Sequence, residues 1–153
     1  MLKKITDFFS QTLDNQQQNE EHRLHLATAA LLVEMMQLDD ELKPSEQATI
    51  IQALQNKFAL PADEVNTLVE LAHQELKDST DYHQFTSLIH QHFTYEQKIR
   101  LLEFLWQVAL SDMHLDKHEA HYMRKISDLL YMQQKDFINS KMRIMQQLGI
   151  SSP

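Results

Sequence analysis

The side chains best suited to chemistry in this 153-residue chain are two clusters of carboxylates set in short turns. The first, Asp39, Asp40 and Glu46, lies in the run Asp39-Asp40-Glu41-Leu42-Lys43-Pro44-Ser45-Glu46. The second, Asp112, Asp116 and Glu119, lies in Asp112-Met113-His114-Leu115-Asp116-Lys117-His118-Glu119. A shift of 73 positions superposes the two runs, with Asp, Leu and Glu at identical offsets. Carboxylates and backbone carbonyls are hard oxygen ligands that suit Ca²⁺ or Mg²⁺, so a bound divalent cation is one reading of both turns. Helix capping is the other. An Asp at the end of a helix faces the negative end of the backbone dipole, at a cost of roughly 0.3–1 kcal/mol, and turn amides donating to its carboxylate offset that cost. Glu119 stands third in the helix after an Asp116 cap, where it reaches back to the cap amide, and Glu46 stands in the same place, although Lys43 offers no side-chain acceptor. Neither turn has the Asp-x-Asp-x-Asp-Gly spacing of an EF-hand.

Nine histidines are many for this length. His114, His118 and His121 fall near one another across a helix start, and His118 shares a face with His121, a spacing that suits Zn²⁺ or Ni²⁺ with Asp116 and Glu119 as added oxygen ligands. The plainer reading places them on a solvated helix face. His22, His25, His73, His83, His90 and His92 have no closer grouping and are expected on solvated faces as well. No spacing sets a Ser or Thr nucleophile beside a base, and the paired carboxylates already have a capping role, so the chain is not expected to be an enzyme.

Composition narrows the classes further. Cys is absent, which removes disulfides, thiolate nucleophiles and Cys-ligated metal centres. The single Gly, Gly149, leaves no phosphate-cradling loop, dinucleotide fingerprint or nucleophile elbow. Lys and Arg number 14 against 22 Asp and Glu, and the resulting charge of -8 repels a phosphate backbone, so no nucleic-acid partner is expected. No apolar run approaches the ~20 residues that span a bilayer, and the first ten residues do not form a signal peptide, so a cytoplasmic protein is expected.

With one Gly, three Pro and abundant helix formers, the elements positioning these residues should all be α-helices. Residues 1–19 read as an amphipathic helix followed by a polar junction. Leu2, Ile5, Phe8, Phe9 and Leu13 make its apolar stripe, which packs on the domain, docks on a protein partner or lies on a membrane surface. Residues 20–150 read as a single helical domain. The periodicity places helices at about 20–38, 44–58, 62–77, 82–92, 95–111, 117–131 and 134–148, seven to eight in all with the N-terminal one. Pro44 and Pro61 mark helix starts, Thr94 with Gln97 forms a capping box, and Gly149 ends the last helix. Ile99, Leu102, Leu105, Trp106 and Ala109 mark 95–111 as the expected central helix. The methionines, Met35, Met36, Met123, Met132, Met142 and Met145 among them, are expected as core filling.

The match between the two turns extends into the flanking helices, with Ile50 over Met123 and Phe58 over Tyr131. Two copies are too few for a solenoid, so the expected architecture is an all-α single-domain bundle with a pseudo-twofold repeat of helix-turn-helix units. The repeated Asp-x-x-Leu-x-x-x-Glu turn, Ala30-Leu31-Leu32-Val33-Glu34, Phe85-Thr86, Phe104-Leu105-Trp106-Gln107-Val108-Ala109, Asp128-Leu129-Leu130 and Asp136-Phe137 keep their order over about residues 20–145. In this the chain resembles the TerB-like proteins associated with tellurite resistance. The resemblance implies an all-helical domain related to the N-terminal region of certain membrane-anchored co-chaperones. It also implies acidic turns that bind divalent cations and a role in stress or metal resistance. The family's usual turn is Ala-Asp-Gly; here Asp40 and Met113 replace the Gly. Asp tolerates a left-handed backbone and Met does so poorly, so the two turns are expected to differ in shape.

Overall fold

The computed structural model describes residues 7, 20–37, 39, 43–78, 84–112 and 117–150, with the backbone alone for 75–78, 111–112 and 117–119. These residues form an all-α bundle of seven α-helices with no strand among them: α1 Glu20–Gln37, α2 Pro44–Phe58, α3 Ala62–Asp78, α4 Gln84–His92, α5 Tyr95–Gln107, α6 Lys117–Leu129 and α7 Gln134–Leu148. The helix and junction expected over residues 1–19 lie outside the described residues, Asp7 excepted.

The bundle is organised around α1, not around the helix that begins at Tyr95. Leu24 and every residue from Leu26 to Met36 are buried, so α1 has no solvent face over its last three turns. It packs against α2, α3, α4, α5 and α6. A helix that is apolar all round belongs in a core, and Ala27, Ala29 and Ala30 keep its girth small enough for neighbours on every side. The one hydroxyl in this stretch, that of Thr28, is satisfied within the helix by the Leu24 carbonyl at 2.7 Å. By contrast α5 keeps Glu96 and Arg100 exposed and is therefore only half enclosed.

Local signals set most helix ends. Pro44 takes the first position of α2, where its missing N–H costs nothing, and Glu46 accepts the Lys43 amide at 3.0 Å. Thr94 and Gln97 form the expected capping box: the Gln97 amide donates to Thr94 Oγ1 at 3.1 Å and the Thr94 amide to Gln97 Oε1 at 2.9 Å. Gly149 adopts φ 72° and closes α7. Ala59, at φ 51°, and Tyr131, at φ 59°, end α2 and α6 in the same left-handed conformation without glycine's freedom. The Tyr131 amide donates to the Asp128 carbonyl and the Met132 amide to the Ser127 carbonyl, the bond pair of a Schellman cap.

The helix expected to run to Ser111 changes form instead. After Gln107 the chain continues as a π-helical turn, Val108–Asp112, in which Val108 and Ala109 are buried, and this turn lies against α2. Trp106 is core, as its spacing predicts. Its indole N–H donates to Ser140 at 3.2 Å and the Ser140 hydroxyl to the Phe137 carbonyl at 2.8 Å, joining α5 to α7. Of the methionines with described side chains, Met35, Met36, Met123, Met132 and Met145 are buried as expected, and Met142 is half exposed on α7.

Candidate functional site

The acidic turns are tied to the bundle in opposite senses. After α1 ends, the Asp39 amide donates to the Met36 carbonyl at 3.2 Å. Its carboxylate accepts the Tyr122 hydroxyl at 2.7 Å, from α6, the helix that follows the second turn. Tyr122 is buried, and α6 packs on α1, the helix that precedes the first turn. The π-helical entry to the second turn in its turn rests on α2, the helix that follows the first. The helix leaving each corner thus lies against the chain entering the other. The bonds at the two corners are unlike. The position 73 residues before Tyr122 is Thr49, and its hydroxyl donates to Ser45 within α2. The two corners also differ in their approach, α-helical to Gln37 and π-helical to Asp112.

Of the six carboxylates expected as cation ligands, Asp39 and Glu46 have described side chains, Asp112 and Glu119 a described backbone alone, and Asp40 and Asp116 lie outside the described residues. Asp39 accepts from Tyr122 and Glu46 from the Lys43 amide, so each carries a structural bond. No three His, Asp or Glu side chains gather around a common point among the described residues. Carboxylates are hard oxygen donors that suit Ca²⁺ or Mg²⁺ in kind, but Asp39 and Glu46, the two with described side chains, belong to no ligand cluster among the described residues.

Among the proposed zinc-type histidines, His121 is exposed on α6, His118 has only its backbone described and His114 lies outside the described residues. Three histidines expected on solvated faces are instead engaged. His22 bonds to Glu64 on α3 at 3.1 Å. His25 lies between Phe58, stacked at 4.4 Å, and Phe104, edge-on at 4.6 Å, and this burial holds its proton affinity below that of free imidazole. His90 contacts the side chain of Lys98. All three stand on helix faces that are half covered by a neighbouring helix, which the spacing of the histidines alone did not reveal.

The most deeply built polar group is one the acidic turns overshadowed. Glu34, fully buried on α1, accepts the Phe85 amide at 2.7 Å, the Thr86 amide at 3.1 Å and the Thr86 hydroxyl at 2.6 Å. These amides belong to the first turn of α4, where four N–H groups lack intrahelical acceptors and the dipole favours negative charge. A carboxylate there fills the role of a capping side chain from 51 residues away in the chain. The signal was present in the sequence: Glu34 is the one charged residue between Leu24 and Gln37 once His25 is set aside, and a charge inside such a run must find partners.

A second tie of this kind joins α5 to α7. The Tyr95 hydroxyl donates to Asp136 at 2.5 Å and accepts the Gln133 amide at 3.0 Å, which fixes the start of α7.

The bonds of Glu34 with Phe85 and Thr86, of Asp39 with Tyr122 and of Trp106 with Ser140 all fall between residues 25 and 142. No curated protein and no solved structure gave a match in comparison with this chain. The family model described as "Tellurite resistance protein TerB" matches residues 25–142, more than three quarters of the sequence, and the chain therefore belongs to the TerB family.

Proposed function

We propose that this chain is a non-enzymatic TerB-like binding module of a tellurite-, metal- or stress-resistance system, with the acidic corner at Asp39 as its working face. The observation that carries the reading is the match of the TerB family model to residues 25–142, which include both acidic turns. The reciprocal packing of the helices supports reading the two helix-turn-helix units as copies that present both corners together. A divalent cation, Ca²⁺ or Mg²⁺, is the ligand that Asp39, Asp40, Glu46, Asp112, Asp116 and Glu119 suit by chemistry. Thermal unfolding under Mg²⁺ and Ca²⁺ titration tests it. Binding to the folded state alone adds about 2.7 kcal/mol at a hundredfold excess over Kd, a rise of roughly 5–10 °C in Tm, and Asp39→Asn combined with Asp112→Asn removes the rise. Equal Tm values with and without either ion overturn the cation reading.

A second reading is favoured by the bonds that Asp39 and Glu46 already accept from the protein itself. In it the turns are structural, and the module acts by docking on another protein, with the apolar stripe of residues 1–19 as the contact. Binding to the partner, or to a membrane surface, is then lost when residues 1–18 are removed and is indifferent to divalent ions.

A further inference from the structure

Lys98 is an unusual residue for the inside of a small helical domain. It lies on α5 with only 6% of its surface exposed. Its ammonium has two partners, Nδ1 of His90 on α4 and the carbonyl of Leu130 at the end of α6, the latter at 3.4 Å. Leu130 opens the corner between α6 and α7, and the next residue, Tyr131, holds the left-handed backbone that a bulky side chain adopts only under constraint. The Tyr131 ring rests on His90, 4.7 Å between centroids, and remains 75% exposed. One imidazole and one ammonium therefore brace a strained corner that carries the most exposed aromatic side chain among the described residues.

We propose that Lys98 and His90 form a pH-sensitive latch on the α6–α7 corner, closed while His90 is neutral and released when His90 takes up a proton. In the closed form the proton of His90 resides on Nε2, because Nδ1 must present its lone pair to the Lys98 ammonium. Protonation places an N–H on Nδ1, so the acceptor is lost and two cations face each other at contact distance inside the bundle. The Leu130 carbonyl is within reach of His90 as well, and the imidazolium competes with Lys98 for it. Either way the ammonium loses the partners that keep it buried.

The environment sets the direction of the switch. Burial first and the Lys98 charge second hold the proton affinity of His90 below that of a free imidazole, while the Leu130 carbonyl acts in the opposite sense. Burial likewise lowers the proton affinity of Lys98. Among the described residues the groups facing the pair are each other, the Tyr131 ring and the Leu130 carbonyl, and none is a carboxylate that would steady two positive charges. The unfolded chain binds the His90 proton first as pH falls below about 6.5, so the closed latch stabilises the fold above that pH and is lost below it.

The test is amide hydrogen exchange of Tyr131 and Met132, whose N–H bonds close the corner, together with NMR titration of the His90 ring. As pH falls from about 7.5 through the His90 titration, which the ring resonances follow directly, the protection factors of these two amides should fall at least tenfold with the same midpoint. The Leu60 amide, which closes the corresponding corner after α2, should keep its protection. His90→Gln, whose ring nitrogen is replaced by a group that does not titrate, should remove the pH dependence. Lys98→Met should remove it too and raise the His90 midpoint. Unchanged protection across the pH range in the native chain overturns the latch, as does an unaltered fall in His90→Gln. Should Lys98→Met fail to fold, the His90→Gln comparison decides alone.

Discussion

Replacing Glu34 by Gln probes the bond set that holds α4 to the central helix. The exchange keeps the size of the side chain and turns one acceptor oxygen into a donor amide. Glu34 Oε1 receives both the amide and the hydroxyl of Thr86, and Oε2 receives the Phe85 amide. If the Gln oxygen keeps the Thr86 pair, its NH₂ faces the Phe85 amide at 2.7 Å, two donors in opposition. A buried donor left without an acceptor costs about 1–3 kcal/mol, and hydrogen bonds to a charged acceptor are stronger than neutral ones by about 1 kcal/mol each. The sum for one orphaned amide and two weakened bonds is about 3–5 kcal/mol, a large share of the ~5–15 kcal/mol that holds a typical domain folded. Glu34→Ala should cost more, since all three donors are then without the carboxylate. Urea unfolding followed by circular dichroism measures the difference, and for Glu34→Gln the Tm should fall by roughly 6–20 °C. A loss below about 1 kcal/mol for Glu34→Gln would refute the claim that this carboxylate caps α4.

Tyr122→Phe removes only the hydroxyl that donates to Asp39, a bond to a charged group, and should cost about 1.5–3 kcal/mol in the same urea experiment; no such loss in an Asp39→Ala background, which has no side-chain acceptor, would assign it to that bond. His25 contributes a pH dependence of known sign. Burial between Phe58 and Phe104 outweighs the attraction of Glu21 and lowers its proton affinity in the folded state, so the unfolded chain protonates first. The stability it supports is complete above about pH 6.5 and declines as pH falls through the lower folded-state value. Urea midpoints compared between pH 8 and pH 5 should therefore drop less in His25→Phe than in the native chain.

Much of the fold was legible because its signals are local. Pro44 and the Thr94–Gln97 box act within one helical turn, and Gly149 needs only its own backbone freedom, so their sequence positions sufficed. The apolar period of α1 also announced burial, although its rank over the helix at Tyr95 depended on how many neighbours surround it. The Asp39 and Glu46 side chains were recognised as special from their repeat, yet the partner of Asp39 lies 83 residues away and no spacing rule points to Tyr122. The change from α- to π-helix at Val108 had no sequence marker, since neither Pro nor Gly stands near it.

By itself the amino-acid order determined that this chain is helical, where most helices begin and end, and which family it resembles, because propensity, capping and apolar periodicity act over a few residues. Tertiary structure decided which polar groups work together. Glu34 meets Phe85 and Thr86, Tyr122 meets Asp39, and Lys98 meets His90 only when separate helices are brought side by side. Burial then turns such meetings into constraints, because a charge or donor taken out of water is stable only with a partner already in place.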